Sequence, residues 1–126
     1  TFIYRFSHLT PWRPEDIGTD RDPDKLLAWH SSELWYTFSS MREGVPPSRP
    51  WQPLDFELAD RISSYWANFM RSGDPNGPGL PEWPQSDASF GYMGLGDTLE
   101  GHAGIEGKLE ELVLEYIRGR GDLPKA

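Results

Sequence analysis

Apolar and aromatic residues recur at helical spacing over one long stretch of the chain. Between Asp55 and Ser72 they form a stripe on one face of a helix: Leu58, Ile62, Tyr65, Trp66 and Phe69. Asp55 can cap the first turn, because its carboxylate can accept hydrogen bonds from unpaired backbone N–H groups there. Gly73 can adopt the left-handed conformation that ends a helix. The pattern predicts an amphipathic helix over 55–72.

A second amphipathic helix is predicted near the end of the chain. Its apolar positions are Ile105, Leu109, Leu112, Val113, Tyr116 and Ile117. Residues 119–126 are expected to form a flexible tail.

The remaining elements are shorter. Phe2 to Ser7 alternates aromatic and other residues and predicts a strand, whereas Phe90 to Leu95 predicts a weaker strand interrupted by two glycines. Residues 25–41 have mixed helical spacing, which predicts a loop followed by a short helix. On that helix Leu27, Leu34 and Phe38 are expected to share a face around His30 and Glu33.

Two short strands, two to three helices and long loops do not build an independent sheet. The strand over residues 2–7 has apolar side chains on both faces, so it needs covered faces and neighbouring strands. The sequence therefore predicts an α/β fold in which residues 1–126 are one segment of a single domain, completed by upstream sequence or by a partner chain.

Composition narrows the function classes. A net charge of −8 and a pI near 4.7 argue against nucleic acid and anionic membrane surfaces as partners, because both attract basic patches. The absence of cysteine excludes a disulfide, a thiolate zinc site and a cysteine nucleophile within these residues. The chain begins at Thr1 without a signal-peptide pattern, which we interpret as a start created by proteolysis, processing or truncation.

Histidine is the side chain best suited to general-base chemistry at neutral pH, and the chain has three. His8 follows the first predicted strand, where ligands of open α/β sheets collect, but it can equally be a strand-end residue hydrogen-bonded to a loop. His102 lies in a glycine-rich turn, which favours a capping or solvated role. His30 follows the long loop after the first strand.

The sequence around His30 belongs to an ordered series of motifs. The pattern His-x-x-Glu-Leu-x-Tyr-x-Phe runs from His30 to Phe38. Four further segments follow in order: Leu58-Ala59-Asp60, Ser64-Tyr65-Trp66-Ala67-Asn68-Phe69, Gly73-Asp74-Pro75-Asn76 and Leu80-Pro81-Glu82-Trp83-Pro84. Together these segments resemble the C-terminal part of type B carboxylesterases, relatives of the cholinesterases and fungal lipases.

The resemblance implies an α/β-hydrolase that cleaves carboxylic esters through an acyl-serine intermediate. In such enzymes the catalytic residues follow the order nucleophile, acid, histidine, so a C-terminal portion holds the histidine alone. No Gly-x-Ser-x-Gly motif occurs in this chain. His30 is thus implied as the base for a serine supplied upstream, on a separate chain or a missing segment. The resemblance implies a small-molecule ester as substrate and no metal or organic cofactor.

Three neighbours of His30 have implied supporting roles. Glu33 is expected to give a supporting hydrogen bond, with a plain surface carboxylate as the alternative, since the family takes its catalytic acid from an earlier loop. Trp29 and Trp35 are expected to line the substrate entrance, unless they only pack. The family commonly has small residues, often glycine, beside this histidine. Trp29 and Ser31 depart from that pattern, which affects substrate preference but not proton chemistry.

Three other interpretations stay open at this point. Thr1 could be the processed nucleophile of an amidohydrolase subunit, activated by its own amine. The parent could be a relative that lost its nucleophile and serves in adhesion. The chain could also be an excised fragment that folds only with its missing half.

Overall fold

A computed structural model describes residues 1–44, 49–87, 89–104 and 107–120 of the chain. Its strands are β1 (Tyr4–Phe6), β2 (Tyr92–Leu95) and β3 (Leu99–His102). Its helices are α1 (Pro23–Leu26), α2 (Leu34–Thr37), α3 (Pro53–Ser72) and α4 (Lys108–Arg120), and a 3₁₀ turn spans Pro14–Asp16.

The described strands form one sheet in the order β1-β2-β3. β1 pairs with β2 in parallel, with Tyr4 opposite Met93 and Phe6 opposite Leu95. β2 and β3 form an antiparallel hairpin in which Leu95 faces Leu99. The parallel pair requires a long crossover, and the segment between β1 and β2 provides it through α3. The expected α/β architecture is confirmed.

The hydrophobic core lies between α3 and the sheet. Leu58, Ile62 and Tyr65 on α3 are at most 3% exposed, which confirms the first half of the predicted stripe. Phe69, one helical turn from the C-terminal end, is 50% exposed and packs edge-on against Phe2. Ala59 on α3 is also part of the core, and the other core side chains come from α2, the loops and the hairpin: Tyr36, Trp51, Trp83, Met93, Leu95 and Leu99.

The ends of α3 follow the predicted chemistry with one change. Gly73 ends the helix with a φ of 77°, as predicted. The helix begins at Pro53 rather than Asp55, because proline is favoured in the first turn, where its missing N–H costs nothing. Asp55 still satisfies a terminal N–H, accepting from Gln52 at 2.7 Å, but it does so from inside the first turn.

The loop followed by a short helix that was predicted within 25–41 is present as α2, with the single turn α1 before it. The expected shared face is wrong, because Leu27 lies before α2 and Phe38 after it, and Leu27, Leu34 and Phe38 are 43–71% exposed. Tyr36 takes the buried position instead, at 0% exposure. A helix of a single turn contains too few residues for helical periodicity to identify its buried face.

The hairpin strand β3 was not predicted, and its sequence explains why. It contains Glu100 and Gly101, which weaken a strand signal. Gly101 is needed because a Cβ atom there would lie 2.6 Å from the Glu82 carbonyl oxygen. The predicted weak strand over 90–95 is present as β2, beginning two residues later.

The second predicted amphipathic helix is present as α4, which begins at Lys108. Ile105 lies outside the described residues. Leu112, Val113 and Tyr116 are 47–63% exposed, so these predicted apolar positions are not buried in the core. The predicted tail began at residue 119, but α4 continues through Arg120; positions 121–126 lie outside the described residues.

Candidate active site

His30 lies on a tight turn between α1 and α2, and its side chain is exposed. The Ser32 N–H donates to the Trp29 carbonyl at 3.0 Å, and the Leu34 N–H donates to the Ser31 carbonyl at 3.2 Å. Ser31 has a φ of 71°, in the left-handed region that favours glycine. The turn therefore reverses the chain beside His30 and holds the imidazole at the surface, where it can meet groups from outside this segment.

The structure does not join Glu33 to His30 by a hydrogen bond. The Glu33 Oε1 atom lies 3.5 Å from the Tyr4 hydroxyl, at the outer limit of a hydrogen bond. Burial, and then the Glu33 charge, raise the pKa of Tyr4. Within the described ranges, no hydrogen-bond partner contacts the His30 ring. The supporting role of Glu33 remains a prediction.

Trp29 and Trp35 pack against each other and against an arginine. Their ring centroids are 5.5 Å apart in an edge-on arrangement. The Arg49 guanidinium carbon lies 5.7 Å from the Trp29 ring centroid and 5.1 Å from that of Trp35. Arg49 also donates to the Pro11 carbonyl at 3.1 Å, and burial lowers its pKa. These contacts show a packing role, with cation–π attraction fixing the residue directly before His30.

The two tryptophans also border a cavity of about 310 Å³. Its other lining residues come from the loop after β1 and from the segment before α3: Pro11, Arg13, Asp16, Arg21, Arg49 and Pro50. The position of Trp29 and Trp35 at a substrate entrance remains a prediction.

His8 is buried and hydrogen-bonded on both sides of its ring. Its Nδ1 atom lies 2.6 Å from an Asp97 oxygen in the β2–β3 turn, which confirms the interpretation of a strand-end residue bonded to a loop. Its Nε2 atom lies 2.9 Å from Asp55 Oδ1, which also accepts from the Tyr36 hydroxyl at 2.7 Å. Sequence reasoning missed this cluster, because its members are separated by 19 to 89 residues and no local motif connects them.

His102 lies at the end of β3 rather than in a glycine-rich turn. Its ring stacks on that of Tyr92, with centroids 4.5 Å apart and an interplanar angle of 11°. The two residues face each other across the hairpin. The capping or solvated role of His102 remains a prediction.

The described part of the chain has neither a metal-ligand cluster nor a membrane-spanning helix. No three histidine, cysteine, aspartate or glutamate side chains lie close enough together there to hold a metal ion. No helix in that part is both long enough and apolar enough to cross a membrane.

A parallel strand followed by a long loop with an exposed histidine, then a helix that packs on the sheet, defines a fragment of an α/β-hydrolase. The chain belongs to the carboxylesterase family, whose pattern matches residues 1–112.

Relatives of known name agree with this assignment. The chain is 34% identical over 98 residues to liver carboxylesterase 1 of Mus musculus, covering 76% of this chain and 15% of that protein. It is 30% identical over 109 residues to the liver carboxylesterase of Sus scrofa, covering 86% of this chain and 18% of that protein. The chain thus spans less than a fifth of the length of these relatives.

A solved structure shows the same fold. The carboxylesterase EST55 of Geobacillus stearothermophilus superposes with a TM-score of 0.56 at 27% identity, covering 81% of this chain and 20% of that one.

Proposed function

We propose that this chain supplies the general-base histidine, His30, to a carboxylesterase active site. The serine nucleophile and the acid would come from upstream residues, on the same polypeptide or on a partner chain. One observation carries the proposal: within a chain of this family, the histidine of the motif that runs from His30 to Phe38 lies exposed on a turn in the loop that follows a parallel strand. This location suits a base that must reach a nucleophile on another segment.

In the proposed reaction His30 accepts the proton of the serine Oγ as that oxygen attacks the ester carbonyl carbon. The imidazolium then donates this proton to the leaving alcohol, which departs and leaves an acyl-serine. In the second half His30 takes a proton from water as the water oxygen attacks the acyl carbon. The bond from that carbon to the serine Oγ then breaks, the carboxylic acid is released, and the imidazolium returns the proton to Oγ. Protein side chains are sufficient for these steps, without a metal or organic cofactor.

The surface of the described residues is consistent with a larger partner segment. β1 is an edge strand of a parallel pair, and parallel strands are stable only when both faces are covered. Several large apolar side chains of the crossover between β1 and β2 remain exposed, among them Ile17, Leu27, Leu34, Phe38 and Phe56. Exposed apolar surface of this kind suits contact with another segment.

Labelling with a fluorophosphonate serine probe, followed by intact mass spectrometry, tests the proposal on the natively purified protein. The expected result is one probe adduct on a serine upstream of this segment, whether on the same chain or on a co-purifying chain. Folded protein that takes up no probe would contradict the proposal. A modified Thr1 would instead favour the amidohydrolase alternative.

A further inference from the structure

Asp55 is a buried carboxylate with three hydrogen bonds. The residue is 1% exposed. Oδ2 accepts from the backbone N–H of Gln52 at 2.7 Å, and Oδ1 accepts from the Tyr36 hydroxyl at 2.7 Å and from His8 Nε2 at 2.9 Å. A buried charge requires such partners, because removing it from water is costly. Asp55 therefore connects three separate segments at the start of α3.

The His8 ring connects Asp55 to a second carboxylate. It lies between the carboxylates of Asp55 and Asp97, at 2.9 and 2.6 Å. The rings of Phe6 and Tyr36 pack edge-on against it, with centroids 6.4 and 5.2 Å away. The His8 ring is thus held between two carboxylates and two aromatic rings.

Tyr36 connects this cluster to the His30 turn. It is 0% exposed and lies on α2, six residues after His30. Its N–H donates to the Glu33 carbonyl at 3.0 Å, which continues the series of turn hydrogen bonds that begins at Trp29. The backbone between His30 and Tyr36 is therefore a compact unit, and a shift of the Tyr36 ring would shift the His30 turn with it.

We propose that Asp55 is a positioning residue for His30, acting through the Tyr36 hydroxyl, with His8 as its other side-chain hydrogen-bond partner. The inference rests on the proposed esterase function. Asp55 and His8 would touch neither substrate nor serine in this role. They would hold the turn so that the His30 ring meets the nucleophile at hydrogen-bonding distance, on which the rate depends steeply.

The test compares two tyrosine variants of the natively assembled protein, Tyr36→Phe and Tyr65→Phe. Both tyrosines are 0% exposed, and each donates one hydroxyl hydrogen bond, Tyr36 to Asp55 and Tyr65 to the Pro81 carbonyl. Both substitutions should lower the unfolding midpoint by similar amounts. Only Tyr36→Phe should lower kcat for an ester substrate, by roughly tenfold, with KM little changed. Its rate of fluorophosphonate labelling should fall in proportion.

Equal kcat values for the two variants would overturn the positioning role. If Tyr36→Phe does not fold, Asp55→Asn replaces it: the amide has one acceptor oxygen and cannot accept from both the Gln52 N–H and the Tyr36 hydroxyl, and full kcat in that variant would overturn the inference. Failure of the proposed esterase function gives a different result: the wild-type protein would neither hydrolyse esters nor take up the probe. That result does not depend on either tyrosine variant.

Discussion

The buried hydroxyl of Tyr65 predicts a specific loss of stability at alkaline pH. The side chain is 0% exposed and donates to the Pro81 carbonyl at 2.5 Å. Burial raises the pKa of Tyr65 to about 12 from an ordinary value of 10.0, although the nearby Arg61 charge opposes this shift. The raised pKa means that the folded protein retains the proton more tightly than the unfolded chain does. The resulting stability is present below pH 10 and is lost as the pH rises to about 12.

The size of the effect follows from that difference. At pH 11 ionisation favours the unfolded chain about tenfold more than the folded one, which lowers the free energy of unfolding by about 1.4 kcal/mol. The Tyr65→Phe variant has no hydroxyl to ionise, so it does not lose this stability at alkaline pH. At every pH, however, it lacks a hydrogen bond worth about 1 kcal/mol. Wild type should therefore be the more stable protein at pH 8, and the two should be nearly equal around pH 11.

Urea unfolding followed by tryptophan fluorescence measures this difference at both pH values. Tyr4 and Tyr36, whose pKa values are also raised by burial, are present in both proteins, so their ionisation cancels in the comparison. A difference in unfolding free energy that is the same at pH 8 and pH 11 would refute the reasoning.

Two further predictions concern the turn that holds His30. Arg49→Lys should lower the free energy of unfolding by about 1 kcal/mol, because an ammonium group cannot stack on two tryptophan rings, whereas Arg61→Lys, in an exposed pair with Glu57, should change it by less than about 0.5 kcal/mol. Urea unfolding measures both changes, and an equal loss of unfolding free energy in Arg49→Lys and Arg61→Lys would contradict the role of Arg49. Ser31→Gly should raise the midpoint of thermal unfolding, because it relieves a left-handed serine at a net gain of about 0.5 kcal/mol, whereas Ser64→Gly inside α3 should lower it. A lower midpoint for Ser31→Gly would show that this backbone is not strained.

Periodic and ordered features of the sequence predicted much of the fold. The face of α3 that contains Leu58 and Ile62 could be found because burial against a sheet repeats every three to four residues. The α/β class followed from an apolar strand that this segment alone cannot cover. The motif around His30 indicated the family, and the match over residues 1–112 confirms it.

Features formed by contacts between distant residues could not be predicted in the same way. The bond between His8 and Asp55 joins positions 47 residues apart, and the bond between His8 and Asp97 joins positions 89 apart. The strand β3 depends on a close approach between Gly101 and Glu82, which strand propensity does not encode. The stacking of Arg49 on Trp29 and Trp35 likewise needs three segments to meet.

The most direct test of the central claim is the rate of ester hydrolysis when His30 is removed. In the natively assembled protein, kcat/KM for a p-nitrophenyl ester should fall by roughly 10⁴-fold or more in His30→Ala, because the serine then has no base. His102→Gln is the matched control, since His102 stacks on Tyr92 in the hairpin and has no part in the proposed chemistry. It should retain activity within about twofold of wild type. A His30→Ala protein that is folded and as active as the control would contradict the assignment of His30 as the catalytic base.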